Sequence, residues 1–412
     1  MRISLFETDF DGHRAMYLSE LITAFREAGH EIQLMLPPEF RETPQYQEYL
    51  ADREGEFTYY PIRKPQFPRS FFSDLVRLRV LAEALHHHDT DHLVIPYGNG
   101  IVLWMCVLPS WIPGLQRPRR LSWDTLLLRT HSVYRGNSFK QRLAGLLERF
   151  VLKRTSARKL HFLDQHAYET IAAHIGSRAN WLPELLPQWE ILGREAALER
   201  LAEQRWISQP QLERLRASVI IGSPGVITLR KGSDTLIEAF VRMRDRPDIS
   251  LLLSSPMLDD VRQRMEERQV DWKNDPRIVL VDRFLDEDAF RSLSQSIDVV
   301  CLPYRNHRAV SAVFLRSLLL QQRTIVDGRA WLGWAADRYQ HGNVVDTSNP
   351  LELEQQLRTS IQNDRWRVAT PETVSQVFAE NTPERFRDAW RAGLKPPSAS
   401  DNTSLVPNKA IL

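Results

Sequence analysis

The stretch Ile221-Gly222-Ser223-Pro224-Gly225-Val226-Ile227-Thr228-Leu229-Arg230-Lys231-Gly232 joins a glycine-rich strand end to a basic helix start, and Leu236-Ile237-Glu238-Ala239-Phe240 continues it with helical apolar spacing. A strand, a short glycine loop and a helix in this order form the turn of a βα unit. Glycines let the backbone approach an anion closely. The start of a helix offers unpaired N–H groups and a positive dipole end, to which Arg230 and Lys231 add full charges. The stretch therefore predicts a parallel sheet with a phosphate seat at the end of one strand.

On its C-terminal side the alternation continues, with helices at 233–243, 258–269, 287–296 and 310–321 and strands at 249–254, 278–281, 299–303 and 324–327. On its N-terminal side, residues 188–216 are rich in Ala, Leu, Glu and Arg and read as a helical connection leading to the strand 218–222. An earlier alternation has strands at 3–6, 31–36, 93–96, 126–129 and 160–163 and helices at 16–28, 75–88, 138–154 and 167–174. The expected organisation is α/β, with two doubly wound Rossmann-like domains at 1–187 and 217–365, closing helices in 366–393, and a Ser/Pro/Asn-rich disordered tail at 394–412.

A chain of 412 residues is too long for one ordinary core, which agrees with two domains. Its 54 basic and 52 acidic residues leave a net charge of +2, a balance that argues against a dedicated nucleic-acid binder while leaving room for local basic patches. Cys106 and Cys301 lie far apart in apolar runs, as free thiols do in a reducing compartment, so the expected location is cytoplasmic. The chain opens as a strand rather than a signal peptide. Its most apolar window, 93–112, is broken by Pro96, Gly98, Asn99, Gly100 and Pro109, so no membrane span is expected.

Several segments of the second half resemble, in order and spacing, the GT-B glycosyltransferases of the retaining, nucleotide-sugar-dependent group 1 or family 4-like kind. Gly225 and Lys231 stand at that family's glycine and lysine in the donor-phosphate loop. Asp282-Arg283-Phe284-Leu285 stands at the strand-end loop that touches the nucleotide base. Ile297-Asp298-Val299-Val300-Cys301-Leu302-Pro303-Tyr304 is similar to the family's strand ending in Pro-Ser, and His341-Gly342-Asn343-Val344-Val345 to its late glycine segment. The resemblance implies a GT-B architecture, two such domains facing across a cleft, and transfer of a sugar from a nucleotide diphosphate to an acceptor. It further implies retention of configuration, a metal-independent reaction and no cofactor beyond the nucleotide sugar as co-substrate.

The same resemblance distributes roles. Lys231, with Arg230 and His131, falls in the catalytic set. Gly225, Arg283, Phe284, Leu285, Tyr304, Arg305, His307, Ser311, Ala312, Val313 and Ser317 fall on the donor, and Asp9, Gly12, His13 and Asn99 on the acceptor side. His131 follows a strand where it could hydrogen-bond a sugar hydroxyl, or else anchor its loop. The segment Asp9-Phe10-Asp11-Gly12-His13-Arg14 lacks the G-x-G-x-x-G fingerprint, which argues against a nicotinamide or flavin enzyme, and reads as an acceptor loop or a helix cap.

Departures from the family pattern bear on activity. Its two glutamates, eight positions apart, fall here on Ala309 and Ser317, and its phosphate-binding arginine falls on Val226. What remains is the basic loop Tyr304-Arg305-Asn306-His307-Arg308 ahead of a helix start at Ser311. A catalytically inactive GT-B module, serving as a partner or regulatory protein, is the alternative these losses leave open. His86-His87-His88 cannot converge on one metal ion, because consecutive helical residues point in different directions. Arg117-Pro118-Arg119-Arg120 and the basic amphipathic helix 139–154 read either as a peripheral contact with anionic lipid or as solvated surface.

Overall fold

A computed structural model describes residues 1–9, 14–63, 71–108, 111–112, 121–128, 130, 132–134, 139–186, 189–305, 307–392 and 394, with the side chains of 71, 72, 140 and 141 left aside. Expectations resting on Gly12, His13, Arg117, Arg119, Arg120, His131 and the tail lie outside the described residues.

The chain divides into two compact units, residues 1–185 with 381–412, and residues 186–380. The elements of the first run β1 (Arg2–Phe6), α1 (Arg14–Glu27), β2 (Glu31–Leu36), α2 (Pro44–Tyr49), β3 (Thr58–Pro61), α3 (Phe71–His87), β4 (His92–Ile95), α4 (Asn99–Val107), β5 (Ser122–Leu127), α5 (Phe139–Arg154), β6 (Lys159–Phe162), α6 (Gln165–Ile175) and β7 (Ala179–Trp181). The second holds α7 (Arg194–Glu203), α8 (Gln209–Arg216), β8 (Val219–Ser223), α9 (Ser233–Arg242), β9 (Ile249–Ser254), α10 (Asp259–Glu267), β10 (Ile278–Val281), α11 (Glu287–Ser296), β11 (Val299–Leu302), α12 (Ala312–Leu319), β12 (Arg323–Asp327), α13 (Ala330–Tyr339), β13 (Asn343–Val345), α14 (Pro350–Asn363) and α15 (Pro371–Glu380). The last helix, α16 (Pro383–Arg391), returns to the first unit.

Both sheets are parallel throughout. Their orders are β3-β2-β1-β4-β5-β6-β7 and β10-β9-β8-β11-β12-β13. Each winds outward from its first strand in one direction and then in the other, the doubly wound pattern that the alternation predicts. In each the order reverses beside the first strand, between β1 and β4 and between β8 and β11. Such a switch point opens a crevice at the carboxyl ends of the strands. The second unit's core packs Ile221, Leu251, Leu253, Val299, Cys301 and Ile325 of the sheet with Leu236, Ile237 and Phe240 of α9 and Leu353 and Leu357 of α14. The first packs Phe6, Leu93, Ile95, Trp123, Leu127, Leu160 and Phe162 with Leu78 and Leu81 of α3 and Ile101 and Met105 of α4.

Three expected boundaries move, each for a packing reason. The helical connection expected at 188–216 forms α7 and α8 but belongs to the second unit, because Ala197, Leu198, Leu201, Leu212 and Leu215 are buried and Arg194 pairs with Asp298 at 3.2 Å. The closing helices divide between the units. Phe386 and Trp390 of α16 are buried in the first unit, Trp390 edge-on to Phe25 of α1. The strand expected at 126–129 starts at Ser122, since polar Asp124 and Thr125 are fully buried inside the sheet; Thr125 Oγ1 donates to the Ile95 carbonyl and Asp124 pairs with Arg158. Both cysteines are free thiols. No helix among the described residues is long and apolar enough to cross a membrane.

Candidate functional site

The loops after β8 and β11 meet at the second unit's switch point. After β8 the chain turns through Gly225, whose φ of +95° disfavours a side chain, and a Cβ there would lie 2.6 Å from Lys231 Nζ. Thr228 then caps a short 3-10 turn, its hydroxyl accepting from the Lys231 N–H at 3.1 Å. That turn places the Lys231 ammonium back over the loop, where Nζ donates to the Pro224 carbonyl at 3.2 Å. Gly232 has φ +66° and packs so closely on the second loop that a Cβ would come within 1.9 Å of the Pro303 carbonyl oxygen.

The loop after β11 is stitched to the first. The Arg305 N–H donates to the Arg230 carbonyl at 2.8 Å, the Arg230 guanidinium lies 2.9 Å from His307 Nδ1, and Lys231 Nζ sits 5.8 Å above the Tyr304 ring. Tyr304 is buried, which raises its phenol to about 12, and Ser311 is its hydrogen-bond partner. Ser311 also caps α12, accepting from the Phe314 N–H at 3.3 Å, while Ala312 and Val313 form the half-exposed first turn. Arg305 is charge-balanced, since its guanidinium donates to Asp234 at 2.8 Å and Thr235 at 2.6 Å. Lys231 and Arg230 form no salt bridge among the described residues. Burial, together with the neighbouring Arg230 charge, pushes the Lys231 ammonium down to about 8. The arrangement is a cationic pair without a counter-ion at the start of a helix, which is what an anion requires.

Two further donor-side expectations land differently. After β10, Asp282 accepts from the Met257 N–H at 2.9 Å and pairs with Arg262. Arg283 stacks 3.9 Å over Trp206 and donates to the Arg205 carbonyl at 2.6 Å. Phe284 is 75% exposed and offers a bare aromatic face, with half-buried Leu285 beside it. Ser317, at one glutamate position, points into the core. It donates to the Phe314 carbonyl at 2.8 Å and meets Thr324 at 3.2 Å and His341 at 3.5 Å. His341 is fully buried, and desolvation lowers it to about 4. Its Nδ1 accepts from the Ala369 N–H, leaving Nε2 to face Thr324 at 3.1 Å.

In the first unit, the switch point holds a charged cluster that sequence reading does not single out. Glu7, directly after β1, is fully buried, and its Oε1 accepts from the Thr8 and Asp9 N–H groups at 2.8 and 3.0 Å and from Arg14 at 2.6 Å. Arg14 also lies 3.4 Å from Asp9 and 4.0 Å from the Tyr97 ring centroid. From α3, Arg77 donates to Thr8 Oγ1 at 2.9 Å and to the Tyr97 carbonyl at 3.1 Å. A carboxylate directly behind a buried strand is the one local signal of this cluster. Asn99 opens α4 and accepts from the Leu128 N–H at 2.8 Å, tying β5 to the loop after β4. No three His, Cys, Asp or Glu side chains converge on a metal-sized site among the described residues.

Residues 15–183 match the family described as "Glycosyl transferase 4-like domain". No curated protein matches the chain's sequence. Among solved structures, sucrose-phosphate synthase from Thermosynechococcus elongatus is 14% identical, with 95% of this chain and 97% of that chain covered and a TM-score of 0.67. Anabaena HepE in complex with UDP is 10% identical, covering 95% and 99% with a TM-score of 0.63. WaaG, a glycosyltransferase involved in lipopolysaccharide biosynthesis, is 14% identical, covering 94% and 99% with a TM-score of 0.63. At these identities the likeness is one of fold, and the fold is GT-B.

Proposed function

We propose that this chain, a glycosyltransferase by its N-terminal domain and GT-B in fold, transfers a sugar from a UDP-sugar to a hydroxyl-bearing acceptor with retention at the anomeric carbon. The observation that carries the proposal is the pair of loops at the β8/β11 switch point, where Lys231 and Arg230 stand without a counter-ion beside Gly225. Breaking the bond between the sugar and a nucleotide diphosphate develops negative charge on the leaving phosphate. Preorganised cations and N–H dipoles aimed at that charge lower the barrier more than they stabilise the ground state. Lys231, Arg230 and the N–H groups opening α12 at Ala312 and Val313 take this role, so the proposal needs no metal. Phe284, exposed after β10, is assigned to stack on the nucleobase, and His131, Asp9, Gly12, His13 and Asn99 are assigned to the transferred sugar and acceptor. UDP is the favoured nucleotide because HepE, of the same fold, binds it. The free thiols Cys106 and Cys301 fit a cytoplasmic setting.

Calorimetric titration with UDP, GDP and ADP tests the reading. UDP is expected to bind, and Lys231→Ala to weaken it. A second reading, the inactive module, is favoured by one observation. Ser317 is locked into the His341–Thr324 network where the resembled family carries a carboxylate for the donor. Absence of binding to any of the three nucleotides would shift the assignment to that module; turnover of a UDP-sugar would exclude it.

A further inference from the structure

A helix flanking a doubly wound sheet ordinarily buries one apolar face and turns a polar one to water. The helix α5 has two apolar faces. Its inward side includes Val151 and Leu152, both buried, while Phe139, Leu143, Leu146, Leu147 and Phe150 are 79, 46, 63, 48 and 55% exposed. These five are separated by four, three, one and three residues, which at helical pitch confines them to a sector of about 100° opposite the buried side. Five large side chains on one outward stripe form a continuous apolar surface rather than scattered exposure.

The charges around the stripe say what covers it. Arg142 and Lys153 follow one margin, with Arg149 between them donating to the Ser132 carbonyl at 2.7 Å, and on the other side the Arg154 guanidinium lies 4.4 Å from the Phe150 ring centroid. Glu148 is the helix's only carboxylate and is turned away, accepting from the Ser132 N–H at 2.6 Å. A partner must therefore be apolar along its centre and anionic along its edges. A second copy of this chain would set the same basic margins against each other. Next to α5, α4 ends in Val107, 57% exposed, and is followed by Trp111, 46% exposed. Tryptophan suits the boundary between acyl chains and headgroups.

We propose that the outward face of α5 docks on the surface of an anionic lipid bilayer. The stripe lies in the plane of the interface over the helix's length of about 24 Å, and Arg142, Lys153 and Arg154 meet headgroup phosphates. Docking stands on this geometry alone. Its consequence, that the acceptor is carried by lipid at that surface, rests on the transferase reading.

The test is co-sedimentation of the full chain, without nucleotide, on vesicles of phosphatidylcholine alone and of phosphatidylcholine with phosphatidylglycerol. Binding is expected on the anionic vesicles, falling as salt rises. Leu146→Ser combined with Phe150→Ser should lower the bound fraction about tenfold, and Arg142→Gln with Lys153→Gln should flatten the salt dependence. Thermal melting of the same variants separates loss of docking from loss of fold. The proposal is overturned if the wild-type chain ignores anionic vesicles or if the stripe variants bind as it does. It is also overturned if the stripe instead drives a dimer that those variants dissolve. Vesicle binding in a protein that fails to bind UDP would leave docking standing and remove the transferase reading.

Discussion

Replacing Lys231 with alanine removes an ammonium that is poised against its own solvation. In the free protein this group sits at about 8 rather than 10.5, from burial first and the Arg230 charge second. A diphosphate beside Nζ reverses both effects, because the anion favours the charged form. At about pH 7 the ammonium is mostly charged already, and a charge-assisted hydrogen bond of about 1.5–3 kcal/mol predicts a loss of about ten- to 150-fold in UDP affinity for Lys231→Ala. The sign with pH follows from linkage. Above about 8 the free protein has lost the proton while the complex, returned toward 10.5, retains it, so binding takes up a proton and weakens. From about pH 7 to about pH 9 the wild-type affinity should fall about tenfold. UDP's terminal phosphate, with a second pKa of about 6, is already mostly dianionic at about pH 7 and gains only a little charge above it, so the variant should show at most a slight slope of the opposite sign. Titrations in two buffers of different ionisation enthalpy measure the proton directly. Equal affinity in wild type and variant, or an equal pH slope in both, would refute the placement of phosphate at this lysine.

Other positions give equally direct readouts. Gly232→Ala should destabilise the second unit by about 2 kcal/mol or more in urea unfolding, because φ is +66° and the new methyl meets the Pro303 carbonyl, a backbone atom that cannot rotate away; an unchanged midpoint contradicts the tight contact. His341, lowered from 6.5 to about 4, makes stability fall as pH drops through that window, since the unfolded chain takes up the proton first; the slope, worth up to about 3 kcal/mol, should shrink in His341→Gln. An identical slope in the variant would assign the acid sensitivity elsewhere. Glu7→Gln keeps the acceptor oxygen but removes the charge facing Arg14 and should cost about 2 kcal/mol in unfolding, with Glu7→Asp unable to restore the three-donor geometry. Wild-type stability for Glu7→Gln would mean that Asp9 alone compensates Arg14.

The fold was legible because doubly wound sheets are written in local periodicity. Strands such as Ile249–Ser254 and helices such as Ser233–Arg242 declare themselves within a few residues. Where the chain buries polar groups, the signal fails: Ser122 and Asp124 look like loop and are strand. The turn after β8 was legible for a similar reason. Gly225, Thr228 and Lys231 interact within seven residues, and each residue type is demanded by local chemistry. Ser317 was not, since which face of α12 turns inward depends on the Thr324 and His341 side chains that surround it. The cluster of Glu7, Arg14 and Arg77 joins residues up to seventy positions apart, and no spacing rule connects them.

The cations at the second unit's switch point divide into two kinds, and the division decides how the site is to be read. Arg305 carries a charge already answered by buried Asp234, whose Oδ1 has no further partner, so this pair holds the loop after β11 in place. Removing that arginine leaves the buried carboxylate with only the more distant Arg268, 3.8 Å away, and any loss of binding would be inseparable from loss of structure. Lys231 and Arg230 are different, because no carboxylate among the described residues answers their charge and their mutual repulsion raises the free energy of the site. Under the proposed reading the opposing charge arrives with the nucleotide, and relief of that repulsion adds to whatever hydrogen bonds the ligand makes. The missing glutamates act on another part of a donor. Under the proposed reading, Ala309 and Ser317 take away acceptors for sugar hydroxyls while Lys231 and Arg230 keep the phosphate seat, so nucleotide affinity and sugar selectivity become separable properties. Strong binding of UDP with little added affinity for any UDP-sugar is the signature that this separation predicts.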